Sequence, residues 1–148
     1  MAFPTSYVNG RTLRDGLYGT AINLDTDTIK VALYTSSISG TDKNAVEAQT
    51  SAPFTSNQVT SSNYSAGGSS LTNPSTTTPS AGKWIFQDSA ATLAWSNVTF
   101  SPAGAIVYDS TASSRVLAAI NFGTPQDVVA GSFTITWDPT NGIFYATY

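Results

Sequence analysis

The chain has 148 residues, 41% of them apolar and only 10% charged, with six basic and nine acidic residues and neither histidine nor cysteine. That length suits one domain whose core needs no metal or disulfide, and the apolar share excludes a disordered chain. The net charge of −3 and the dispersal of the basic residues argue against a nucleic-acid surface, and no run approaches the ~20 apolar residues of a membrane span.

Residues 1–23 read as an N-terminal arm. Val8, Leu13, Leu17 and Tyr18 fall at roughly helical spacing, while Gly10, Gly16 and Gly19 weaken the helix they would form. One short helix is expected there. The start lacks the basic and apolar regions of a secretory signal, so synthesis in a cytoplasm is expected. From Thr28 the period changes to two. "TIKVALYT" places Ile29, Val31 and Leu33 on one face and Lys30, Ala32 and Tyr34 on the other, the pattern of a half-buried strand. Residues 50–82 are rich in Ser, Thr and Gly, yet Phe54, Val59, Tyr64 and Leu71 recur within them. A long, partly ordered loop with one or two short strands is expected, turning tightly at Gly67 and Gly68.

Strand patterns then follow one another to the end: "KWIFQ", "ATLAWSNVTF", "AGAIVYDS", "RVLAAINFG", "GSFTITW" and "GIFYATY". Phe133, Ile135 and Trp137 alternate with Ser132, Thr134 and Thr136, which makes Trp137 a core residue. "DPTNG" after it is a hairpin cue, with Asn141 and Gly142 suited to positive φ. The spacing predicts an all-β domain over 24–148, a two-sheet antiparallel β-sandwich of jelly-roll-like or immunoglobulin-like kind, with the arm outside it. Trp95, Phe100, Tyr108, Phe133 and Ile135 belong to its core. Trp84, Trp95 and Trp137 read as packing residues before they read as a sugar platform.

Chemistry is scarce. Without His or Cys the commonest general base, the thiol nucleophile and the usual zinc ligands are missing, and no Gly-x-Ser-x-Gly elbow occurs. The acids Asp15, Asp25, Asp27, Asp42, Glu47, Asp88, Asp109, Asp127 and Asp138 stand mostly at turn signals, where Asp serves local hydrogen bonding. Asp25 and Asp27 lack the Gly and closing Glu of an EF-hand loop. No catalytic residue, cofactor or metal is expected, and the two glycosylation sequons, at Asn63 and Asn97, read as chance.

In order, "TDTIKVALYTSS", "NYSAGGSSL", "WSNVTFSPAGAIVYDS" and "LAAINFGTPQDVVAGSFTITWDPTNGIFYAT" resemble a family of small virion proteins of tailed bacteriophages. The resemblance spans residues 24–147. It departs from the family pattern at Asn63, where Gly is usual, and at Pro102-Ala103, where Ala-Arg is usual. It implies a virion structural protein: a capsid decoration protein bound to the major capsid protein, or a tail- or fibre-associated protein, the latter including a host-glycan adhesin. A homo-oligomer, such as a trimer, at the virion surface is expected, with no nucleic-acid or membrane partner. The few charges on its strand patterns also fit edges covered by neighbours. The arm is expected to bind a neighbouring subunit or the capsid through Phe3, Tyr7, Leu13, Leu17 and Tyr18, with Arg11 and Arg14 contacting an acidic partner.

Overall fold

The computed structural model describes residue 3 and residues 5–19, 22–38, 47–80 and 82–147, apart from the side chains of 13, 17–19, 79 and 80. The elements are β1 (Tyr7–Val8), α1 (Gly10–Gly19), β2 (Ile29–Tyr34), β3 (Ser69–Ser70), β4 (Pro74–Ser80), β5 (Lys83–Asp88), β6 (Thr92–Phe100), β7 (Gly104–Asp109), β8 (Arg115–Asn121), β9 (Val128–Thr136) and β10 (Phe144–Thr147). The fold is an all-β antiparallel sandwich. One layer is a five-stranded sheet, β1-β8-β7-β2-β3; the other combines a three-stranded sheet, β10-β5-β4, with a two-stranded ribbon, β6-β9.

Between the layers lies the main core. Val31 and Leu33 of β2, Val107 of β7 and Leu117 of β8 meet Phe86, Trp95, Phe100, Ile135 and Phe144 from the second layer. The alternate residues of the five-stranded sheet are buried too. Ala32, Tyr34, Ile106, Tyr108, Val116 and Ala119 pack on its far face beneath Phe3, Ile38, Phe54 and Ala103. β2 is therefore buried on both faces except at Lys30, where the alternating pattern suggested one. A strand covered on both sides reads as a continuous apolar run, as all of β7 does.

The second cover corrects the reading of the N-terminal arm. Phe3 is 5% exposed and packs over Gly104, where a Cβ would collide with its ring. Tyr7 and Val8 pair with Ala119 and Ala118 as the edge strand of the first sheet. Asn9 caps α1, its Oδ1 accepting from the Thr12 amide at 3.0 Å. The expected short helix exists, but Phe3 and Tyr7 belong to the domain's own fabric, so no domain boundary falls at residues 23 and 24. The Phe3 ring is consumed by the far face of the sheet and is not free for a neighbour, whereas Tyr7 stays half-buried. Leu13, Leu17 and Tyr18 lie on α1 with side chains outside the described residues.

The polar stretch 50–82 folds over the sandwich through buried Phe54, Val59, Tyr64 and Leu71 and contributes β3 and β4. Gly67 and Gly68 turn at φ of 89° and 74°, and a Cβ on Gly68 would strike the Val31 carbonyl. Position 68 accepts only glycine. The "DPTNG" turn forms, with Gly142 at φ 66° and Asp138 bridged to Gly142. It does not make a hairpin, however. β9 pairs with β6 and β10 with β5, so the turn carries the chain from the ribbon to the three-stranded sheet. Stacking of Phe144 on Phe86 at 4.9 Å and the Ile143 amide's bond to the Phe86 carbonyl draw it there.

Because Phe3 fills a cover over the central sheet, Phe3→Ala should destabilise the domain by about 3–5 kcal/mol. Urea unfolding measures this; an unchanged midpoint would return residues 1–9 to the status of a detachable arm.

Candidate functional site

The structure places most of the expected structural residues in the interior. Trp95, Phe100, Tyr108, Ile135 and Trp137 are buried. Phe133 is half-buried and its ring contacts Trp95, Phe100 and Phe122. The Tyr108 hydroxyl donates to the Gly67 carbonyl at 2.7 Å, which ties the glycine turn to β7. Asn141 donates its amide and side chain to Asp138, whose carboxyl these bonds and the Thr140 amide hold below the usual range. These residues build the fold. None of them forms a reactive group with another.

Arg11 and Arg14 are exposed, and both reach Asp15 on the same helix, Arg11 at 3.5 Å and Arg14 at 2.5 Å. Pairs of this kind contribute little to stability. Buried tyrosines carry structural hydroxyls: the Leu33 amide donates to Tyr64, and Tyr34 donates to the Phe54 carbonyl. Burial pushes the Tyr34 hydroxyl up to about 12 and Tyr64 upward as well.

Three features remain. The first is a carboxyl pair that sequence reasoning missed by assigning Asp109 to a turn. Asp109 does accept the Thr111 and Ala112 amides on Oδ1, as a turn residue should. Yet the residue is fully buried, and Oδ2 receives no donor among the described residues. The Asp27 side chain lies within hydrogen-bonding reach of it. A buried carboxyl beside another carboxyl is more favourable protonated than ionised. Burial, then Asp27, push Asp109 up to about 6 against the pull of the two amides. No signal in the sequence joins residues 82 positions apart; the pairing of Ile29 with Asp109 across β2 and β7 does. Among the described residues, no group of three or more His, Cys, Asp or Glu is placed to hold a metal.

The second feature is a cleft of about 650 Å³ between the β1–β8 edge and the chain from Ile135 to Tyr145. Tyr7, Trp137 and Tyr145 contribute rings, and Ser6, Asp138 and Asn141 contribute polar groups. The Trp137 indole Nε1 is buried without a partner, and the Tyr145 ring, half exposed, lies 4.8 Å beneath the Lys83 ammonium.

The third is the β6–β9 ribbon. Neither Thr92–Phe100 nor Val128–Thr136 contains a charged residue or a proline. Its outer face presents Thr92, Ala94, Ser132, Thr134 and Thr136, and Val129 is 81% exposed. No protein-family profile, curated protein or solved structure matches the chain.

The buried carboxyl pair fixes a pH dependence. A folded-state value raised above the free value of 3.8 gives stabilisation that is complete below that value and lost as pH rises through about 6. Asp109→Asn keeps an acceptor for the two amides and supplies a donor to Asp27. The variant should match the wild type at acid pH and exceed its melting temperature increasingly as pH rises through about 6. Parallel melting curves would refute the raised pKa.

Proposed function

We propose that this protein is a structural subunit of a tailed-bacteriophage virion, a decoration protein binding the outer lattice of the major capsid protein. The phage class rests on the sequence resemblance across residues 24–147. The observation that carries an assembly role is the uncharged β6–β9 ribbon, an exposed two-stranded surface without the Lys, Glu or Pro that guards the edges of free monomers. Such a surface is a liability in solution and an asset when a neighbour covers it. The reading assigns no catalysis and no cofactor to the chain; its working place is the virion surface.

A second reading, a tail or fibre module that binds host glycans, draws on the cleft. Aromatic rings beside polar side chains, among them the Trp137 indole N–H without an acceptor among the described residues, suit a sugar, whose faces stack and whose hydroxyls hydrogen-bond. Neither reading uses Phe3, which is buried within the domain, and Tyr7 enters only the second, as part of the cleft wall held in place by β1.

Copy number separates the two. Purified protein added to particles lacking it should coat the head in hundreds of copies, visible by cryo-electron microscopy and countable by quantitative mass spectrometry. A handful of copies confined to the tail would replace the decoration reading by the adhesin one. Absence from the particle would remove both.

A further inference from the structure

β9 pairs with β6 alone among the described residues, so its other edge carries no strand. The direction of its free groups can be read from one bond. The Trp137 amide donates to the Ala91 carbonyl at 2.9 Å, which makes that pair hydrogen-bonded. In an antiparallel ladder the bonding alternates, so Ile135 and Phe133 also point their backbone groups at β6. Ser132, Thr134 and Thr136 therefore aim their N–H and C=O groups outward. The ribbon's register shifts twice: between Trp95 and Val98, opposite Phe133 and Gly131, the extra residue is on β6, and between Gly131 and Val128, opposite Val98 and Phe100, it is on β9. β9 keeps an unbroken pleat from Gly131 to Thr136. Ile135, Thr136 and Trp137 line the cleft, so this length of β9 stands apart from the β1–β8 edge with a cavity between them.

The edge is self-complementary. Laid antiparallel on a second copy with the two-fold axis at Thr134, it sets Thr134 against Thr134 and Ser132 against Thr136. Every outward-facing residue then meets another outward-facing residue, and each pair exchanges two N–H···O=C bonds. Facing hydroxyl residues are favourable cross-strand partners, and Phe133 would lie beside Ile135 of the other copy on the apolar side. The β9 bulge at Val129 and Ala130 ends the regular pairing on one side of this stretch, and no acid lies within Gly131 to Trp137. A charged residue anywhere near the axis would have repelled its own copy. None is present.

We propose that β9 is a homodimerisation edge, joining two β6–β9 ribbons into one four-stranded sheet, β6-β9-β9-β6, about a two-fold axis at Thr134. This contact presupposes the assembly role proposed above and gives it a specific surface.

The cysteine-free chain allows the register to be tested directly. Hydrogen-bonded antiparallel partners stand about 5.5 Å apart at Cα, within disulfide range. Under mild oxidation Thr134→Cys should cross-link into covalent dimers, and Ser132→Cys should not. The double variant Ser132→Cys/Thr136→Cys should cross-link again. In sedimentation equilibrium, Thr134→Lys should raise the dimer dissociation constant by at least about tenfold, because it sets two ammonium groups against each other on the axis. Thr92→Lys, which adds the same charge to the ribbon away from this edge, should leave dimerisation unchanged; circular dichroism shows that each variant is folded. A chain that stays monomeric at high concentration would overturn the proposal, as would equal cross-linking by Thr134→Cys and Ser132→Cys or dimers indifferent to Thr134→Lys. A monomer that still coats particles would remove this edge and leave the decoration role standing. A β9 dimer that coats no particle would do the reverse.

Discussion

Complete burial of β7 on both faces governs the rest of this structure. From Gly104 to Asp109 each residue is buried, and β2 beside it is nearly so. One face of a sheet can be covered by a second sheet, and here it is. The other face needs a cover of its own, and among the described residues neither a helical layer nor a third sheet supplies it. It uses irregular segments: Phe3 from the N-terminus, Ile38 after β2, Phe54 from the polar stretch and Ala103 from the corner before β7. Backbone groups in such a cover must still be satisfied. Thr35 bonds Asn57, Asn9 bonds Leu117 and Val116 bonds Glu47, main chain to main chain, at 2.9, 2.7 and 2.8 Å. A surface composed largely of hydroxyl residues is therefore compatible with a deeply buried centre.

The second layer is built on a different principle. It is split, and the split follows from where aromatic rings find partners. Trp95, Phe100 and Phe133 hold the ribbon together, while Phe86, Phe144 and Trp84 hold the three-stranded sheet. The turn from Asp138 to Gly142 must cross between them, and the crossing leaves a cleft that borders the unpaired edge of β9. A continuous second sheet would have had neither. The cleft and the open β9 edge thus arise from incomplete pairing in one layer, and the fully paired central sheet is what makes that incompleteness tolerable.

Asp109 shows a cost of the same design. It ends the most buried strand, where its two amide bonds shape the β7–β8 turn. Meeting those amides brings a carboxyl group into the interior and against Asp27, and burial, then that neighbour, push its pKa up to about 6. The group combines an ordinary turn role with an unusual environment, and only the second is a consequence of the tertiary fold.

Much of this was legible in the residues. Period-two alternation located most of the strands after residue 82, and the anchors Phe54, Val59, Tyr64 and Leu71 marked the polar stretch as part of the domain, because apolar side chains among hydroxyls have somewhere to be buried. Gly67, Gly68 and Gly142 announced their turns through the need for positive φ. Three matters were decided by tertiary structure alone. Periodicity states that a side chain is buried but not against what, so the apolar residues of the N-terminal segment suited a neighbour as well as they suited the far face of the central sheet. Turn residues state that a chain reverses but not which strand its ends will join, so "DPTNG" looked like a hairpin and became a crossing between sheets. Proximity of Asp27 to Asp109, and the open edge of β9, depend on strand register and sheet order, which are set by long-range packing that no local run of residues encodes.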